Sequence, residues 1–379
     1  MNERLRELAR LFFRLGLTAF GGPAAHIGMM EDEVVTRRQW LSHQHFLDLV
    51  GATSLIPGPN STEMTMHIGY ERAGWRGLAV AGSLFILPAA VLTGILAWLY
   101  VQFGTLPAVE PLLVGIKPAV IAIIVTAVYR LGRKAVKNWQ LALIGLGVLT
   151  AVLLGVDEGI ALLMGGVIGA LLLRAIAGSA AMLLLPLLPG KTTSLFWQVQ
   201  GGETAVSLWN LGAFFLKIGA ILYGSGYVLV AYLEGGLVNQ LGWLTQAELL
   251  DAIAIGQFTP GPVLTTATFV GYLIAGVPGA IVATLGIFLP SFLFVLLLNP
   301  LIPKMRQSVW LSAFLDAVNV AAVGLMVAVL INLGRQTLLN WQSILIALLA
   351  LVASIRFKVN SAWIVLGGAI LGYVLSQVG

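Results

Sequence analysis

Apolar residues in this chain arrive in long runs, separated by short clusters of glycine, proline and charge. A helix needs about 20 mostly apolar residues to cross a bilayer. Windows of that kind recur almost to the C-terminus, at 77–100, 111–129, 141–156 and 361–376. The pattern predicts about six apolar helical segments in each half. In the first half they lie near 10–28, 45–70, 76–103, 112–131, 139–156 and 159–175. In the second they lie near 208–230, 247–273, 277–298, 311–333, 341–355 and 360–377.

The two halves repeat each other. A shift of 203 positions lays Arg14 on Lys217, Gly16 on Gly219, Gly21 on Gly224, Glu31 on Glu234 and Asp48 on Asp251. It also lays Trp40-Leu41 on Trp243-Leu244 and Pro57-Gly58-Pro59 on Pro260-Gly261-Pro262. Further on, a shift of 202 lays Pro88 on Pro290, Asn138-Trp139-Gln140 on Asn340-Trp341-Gln342, and Gly165-Gly166 on Gly367-Gly368. An ordered series of this kind marks a duplication. We read residues 1–175 as the first repeat, 176–207 as a connector and 208–379 as the second repeat.

Two segments in each half are interrupted. Gly21-Gly22-Pro23 falls inside the first segment and the Pro-Gly-Pro triplet inside the second. Proline removes a backbone donor and clashes with the preceding turn, so the triplet should split its helix or make it re-entrant. Broken backbone at membrane depth is tolerated only where protein or a water-filled cavity covers it. The expected fold is an all-α integral membrane protein of two homologous helical repeats with interrupted or re-entrant helices.

Charge placement refines this. In the first half basic residues cluster at Arg4–Arg14, at Arg72 and Arg76, and at Arg130–Lys137, while loops 104–111 and 157–158 have none. In the second half the pattern flips, with Lys304, Arg306, Arg356 and Lys358 in the loops equivalent to the uncharged ones. The positive-inside rule then predicts a cytoplasmic N-terminus and repeats inserted in opposite senses. Six crossings per half would leave the repeats parallel, so one odd crossing is required. Either the apolar stretch 180–188 or a re-entrant helix could provide it.

Composition agrees. The chain is 59% apolar and 10% charged, against about 25% charged in soluble domains, so lipid must cover much of it. The net charge of +5 comes from short clusters at the ends of apolar runs, which is no nucleic-acid signature. With no cysteine, thiol catalysis, disulfides and Cys-ligated metals are excluded. Arg14 interrupts the N-terminal apolar stretch, so a cleavable signal peptide is not predicted. Neither His43–His45–Asp48 nor Glu63–His67 matches the His-Glu-x-x-His zinc pattern, so no metal site is expected, and no cofactor.

Inverted repeats with discontinuous helices describe many secondary transporters, whose substrates bind near the midplane where the breaks meet. A half-helix starting after each Pro-Gly-Pro would aim free N–H groups and its positive dipole end at an anion. The candidate binding residues are Gly22, His26, Gly58, Asn60, Ser61 and Thr62 in the first half, with Gly261, Thr265 and Thr266 in the second. Arg14 and Lys217 join them as equivalent cations inside apolar runs, where a charge is costly. Glu31, Asp48, Glu63 and Asp251 are the proton-coupling candidates. An enzyme would need a nucleophile–base or metal constellation, and none is seen.

At these motifs the chain resembles the CHR (chromate ion transporter) family. The matching elements are Phe20-Gly21-Gly22-Pro23 followed by His26, Pro57-Gly58-Pro59, Gly69-Tyr70 with Gly74 and Gly77, and Phe85-Ile86-Leu87-Pro88. A weaker version recurs at Gly224-Ser225-Gly226, Pro260-Gly261-Pro262, Gly271-Tyr272 and Phe288-Leu289-Pro290. The resemblance covers nearly the whole chain and implies the two-domain form. It further implies a chromate transporter, commonly an efflux protein giving bacterial chromate resistance. Chromate is then the expected substrate and sulfate the next. An anion channel of the same fold and a homodimeric assembly are left open. The second half carries Gly226 and Leu229 where the first has Pro23 and His26, so the halves are not expected to act equally.

Overall fold

The computed structural model describes residues 3–104, 106, 109–177, 206–223, 226–299 and 308–377. The first repeat comprises α1 (Glu3–Thr18), α2 (Gly22–Glu31), α3 (His43–Thr53), α4 (Asn60–Phe103), α5 (Glu110–Ala135), α6 (Trp139–Leu153) and α7 (Glu158–Ala177). The second comprises α8 (Leu208–Ile221), α9 (Leu229–Leu233), α10 (Gln246–Phe258), α11 (Thr266–Leu298), α12 (Val309–Thr337), α13 (Trp341–Ile355) and α14 (Ser361–Ser376).

The first two apolar segments of each repeat are not broken rods but hairpins. Arg14 on α1 ion-pairs with Glu33, nineteen residues on, at 2.6 Å, and His26 on α2 reaches back to the Ala19 carbonyl. The chain therefore reverses at Phe20–Gly22. In the same way His45 on α3 lies 3.2 Å from Glu71 near the far end of the next helical arm, so the chain also reverses at Pro57-Gly58-Pro59. Gly58 sits at φ 143°, a backbone conformation that favours glycine.

Helix α4 contains a second reversal. Ala73 and Gly74 leave helical geometry, with Gly74 at φ 61°, ψ −154°. Gly69 and Gly77 then touch so closely that a Cβ on either would strike the other's backbone. Residues eight apart on one straight helix would be about 12 Å apart, so arms 60–72 and 75–103 are antiparallel. The second repeat does the same at Ala275 and Gly276, where Gly276 has φ 61°, ψ −150°. There Gly271 meets Gly279, and Thr268 and Thr284 share a 2.7 Å hydrogen bond.

Each repeat thus has two hairpins followed by four apolar helices. The arm 60–72 is about 20 Å long and the arm 75–103 about 43 Å, at roughly 1.5 Å per residue. Only the second exceeds a hydrocarbon core of about 30 Å. Among the described residues four helices are long and apolar enough to cross: Asn60–Phe103, Glu110–Ala135, Val263–Leu298 and Val309–Thr337. Their outward faces carry large exposed apolar side chains such as Trp98, Leu285 and Leu297, the signature of a lipid-facing surface.

The repeated motifs now acquire causes. Asn138 and Asn340 cap α6 and α13 by accepting from Leu141 N and Ser343 N. Gly16 and Gly219 let α1 and α8 lie against the backbone carbonyls of Phe85 and Ile287. The repeats interlock through small residues, with Gly115 on α5 against Gly368 and Gly372 on α14, and Gly324 on α12 against Gly145 on α6. Close backbone approach of this kind is how apolar helices associate within lipid. The apolar stretch 180–188 lies outside the described residues.

Candidate functional site

The hairpin tips of the two repeats meet. Gly58 N–H donates to the carbonyl of Leu222 at 2.7 Å, and Gly261 N–H donates to the carbonyl of Ala19 at 2.8 Å. Ala19 and Leu222 are themselves equivalent under the 203-residue shift. Each Pro-Gly-Pro tip is therefore clasped by the glycine-break tip of the other repeat. This reciprocal bonding belongs to a pseudo-two-fold arrangement.

A helix starts beside each clasp. In the first repeat it begins at Asn60, directly after Pro59. In the second a short 3₁₀ turn, Val263–Thr265, leads into α11. The first N–H groups of a helix have no partner within it, so both starts direct donors at the junction.

His26, Ser61 and Ala19 knit the first tip. His26 Nε2 is 3.1 Å from the Ala19 carbonyl, which can only accept, so Nε2 carries the proton. Nδ1, 3.3 Å from Ser61 Oγ, then accepts from that hydroxyl. On the second tip Thr93 donates to Thr265, which donates to the Pro262 carbonyl at 2.8 Å. Thr266 bonds to its own Val263 carbonyl. The Tyr227 hydroxyl lies beside Gly22 and donates to Gln257.

Several buried polar groups at the junction make no hydrogen bond. Glu63, in the first turn after Pro59, is fully buried, and neither carboxylate oxygen has a hydrogen-bond partner. Thr62 Oγ1, Ser291 Oγ and, one turn on, His67 Nε2 are also buried and unpartnered. Glu63 and Ser291 both press on the space where a Gly58 side chain would stand. A buried polar group without a partner costs about 1–3 kcal/mol, and a charge far more.

The other candidates lie elsewhere. Arg14 is half exposed, and its guanidinium reaches the mouth of its hairpin rather than the tip. Burial alone would raise the Glu33 carboxyl. The guanidinium groups of Arg14 and Arg38 outweigh that and hold it below the ordinary carboxylate range. Lys217 is exposed beside a cavity of about 30 Å³ lined by Asp157, Glu158, Tyr232 and Gln240. Glu31 pairs with His43 at 3.0 Å, and its counterpart Glu234 meets Gln246, the counterpart of His43. Asp48 is half buried on α3.

Asp251 is buried in a cluster that joins the repeats. It accepts from the Tyr100 hydroxyl at 2.8 Å and has Lys117 Nζ at 3.8 Å. Sequence reading passed over Lys117, although it interrupts an apolar run as Lys217 does, and the same criterion would have found it. Ser291 gave no signal, because its importance comes from a neighbour more than two hundred residues away. No group of three metal-ligating side chains forms among the described residues.

The comparisons with known proteins bear on this geometry. The "Probable chromate transport protein" of Synechococcus elongatus is 33% identical over 388 residues, 98% of this chain and 95% of that one. The "Chromate transport protein" of Cupriavidus metallidurans is 33% identical over 380 residues, 98% of this chain and 93% of that one. The protein of the same name from Pseudomonas aeruginosa is 32% identical, covering 97% and 92%. No solved structure matches. The family profile described as "Chromate transporter" matches twice, over residues 6–190 and 209–373, once per repeat. This membrane protein therefore belongs to the chromate transporter family.

Proposed function

We propose that the protein exports chromate, with sulfate the next candidate, through the junction of the four hairpin tips. The observation that carries this is the reciprocal clasp, Gly58 to Leu222 and Gly261 to Ala19, which sets two helix starts at one place. Half-helix N-termini meeting inside a repeat interface are suited to oxyanion oxygens.

The repeats are read as inverted. The arm 75–103 begins beside the first repeat's hairpin mouths and ends with Tyr100 on Asp251, which lies midway along α10. Conversely Asn299, at the end of α11, bonds His67 midway along the arm 60–72. Both contacts support long arms that run in opposite directions. The basic residues Arg72, Arg130, Lys137 and Arg356 then share one face, which supports a cytoplasmic N-terminus in an inner membrane.

Chromate is largely a dianion at neutral pH. One charge moved through 100 mV is worth about 2.3 kcal/mol, so two are worth about 4.6, equivalent to a gradient of about a thousandfold. An inside-negative potential therefore favours export without any coupled ion. In proteoliposomes, chromate flux should follow a potassium–valinomycin potential when no pH gradient is present. Flux that ignores voltage and follows only a pH gradient would overturn the voltage-driven reading, and no flux would overturn the transport reading.

A further inference from the structure

The pseudo-two-fold axis supplies an internal control, because every residue at one tip has a counterpart at the other. Gly58 adjoins Glu63 and Ser291. The counterparts are Gly261, Thr266 and Ala89. Gly261 does approach the Ala89 methyl group, so the packing is preserved. Thr266 is satisfied by its own helix through Val263. The hydroxyls of the second tip are therefore satisfied, whereas the first holds a fully buried acid with only the Ser291 hydroxyl beside it.

We infer that Glu63, adjoined by Ser291, is a proton site whose occupancy admits the oxyanion to the adjacent helix start, and that the second repeat has no equivalent. The inference rests on the junction being the anion site. A carboxylate in the first turn of a helix is ordinarily explained by the dipole. Such a carboxylate needs water or N–H donors, and this one has neither oxygen bonded and no accessible surface. Ionised, it would place a second negative charge beside a dianion in a low-dielectric site, with no cation in ion-pair range among the described residues. Protonated, it is neutral and has an O–H to donate.

The groups facing Glu63 do not supply the missing charge. Ser291 comes from α11, whose 33 residues include no Asp, Glu, Lys, Arg or His. Tyr223, after α8, is near enough to interact with it. Nearby His26 on α2 is occupied at both nitrogens. His67, on its own helix, is held at Nδ1 by Asn299. A proton is the compensating partner this pocket admits.

The test is chromate binding to the purified full-length protein and to Glu63→Gln, by titration calorimetry from about pH 6.5 to about pH 9. Both proteins meet the same chromate at each pH, so the anion's own protonation cancels in their ratio. Wild-type affinity should fall by up to about tenfold per pH unit relative to the variant, which keeps a neutral side chain throughout. A ratio independent of pH would overturn the inference. A second measurement needs no variant, since chromate added to weakly buffered wild type should draw protons from solution. No uptake at any pH in that range would also overturn it, as would affinity set by sodium concentration instead of pH. Failure of the wild type to bind chromate at all would instead overturn the proposed function.

Discussion

At the scale of single residues, the site depends on side chains that have no room to change. A leucine at Gly58 would collide with Glu63 and Ser291 and would need a left-handed backbone. Gly58→Leu should abolish flux and cost about 2–5 kcal/mol, from overpacking plus strain. Thermal melting in detergent alongside vesicle flux checks this, and wild-type flux would remove Gly58 from the site. Glu33 behaves differently. Its folded value lies below the ordinary carboxylate range, so its pairs with Arg14 and Arg38 stabilise above that range and are lost as pH falls through it. Glu33→Gln should lower stability by about 1 kcal/mol near neutrality, with the deficit shrinking as pH falls through the ordinary carboxylate range and gone below the depressed value of Glu33 itself. A deficit unchanged by acid would mean that packing, not charge, is what the glutamine disturbs. The sequence exposed Arg14 as a cation in an apolar run. It could not show that the chain doubles back to bring Glu33 to it.

At the scale of elements, six apolar segments per repeat were legible because burial in lipid demands long apolar runs. Their path was only partly so. A Pro-Gly-Pro triplet announces a break, and the notion of a re-entrant helix covered the tip at Gly58. The segment 10–28 looked like one interrupted helix and is a hairpin, because hydropathy is blind to direction. Nor did any pattern announce the π-helical turns Asp32–Arg37 and Glu234–Gln240, which end the α2 and α9 limbs at equivalent places. The turns at Gly74 and Gly276 permit a sharper test. A Cβ at Gly74 meets nothing within 4 Å, so Gly74→Ala carries only the conformational penalty of φ 61°, ψ −154°, a region open essentially to glycine, about 1–3 kcal/mol. At Gly69 the Cβ would enter the backbone of Gly77 and part the two arms. Gly69→Ala should therefore lower the melting temperature more than Gly74→Ala. Equal effects would mean that the arms do not pack as an antiparallel pair.

At the scale of the whole molecule, reciprocal contacts alone do not fix orientation. A two-fold axis along the membrane normal and one in its plane both produce the clasp of Gly58 on Leu222 and Gly261 on Ala19. The long arms favour the proposed inversion, since each ends on a residue midway along the other repeat's second hairpin, Tyr100 on Asp251 and Asn299 on His67. In a parallel arrangement the mouths of both repeats would share a face, and the arms would end on the face that has neither. Charge gives the same answer independently, because basic residues avoid the loops at 104–111 and 157–158 and fill their counterparts at 300–307 and 356–359. The chain has no cysteine, so single cysteines report without background. Trp75 and Val277 are equivalent, directly follow the two turns, and are 62% and 60% exposed. Trp75→Cys and Val277→Cys in right-side-out vesicles should react with a membrane-impermeant maleimide on one variant only, Val277→Cys, with Trp75→Cys reacting after permeabilisation. The opposite assignment would reverse the orientation but keep the inversion. Labelling of both from one side would place the repeats in parallel. Tyr100 and Asp251 could not then meet, so this outcome would also withdraw the shared junction from which anion binding and its proton were argued.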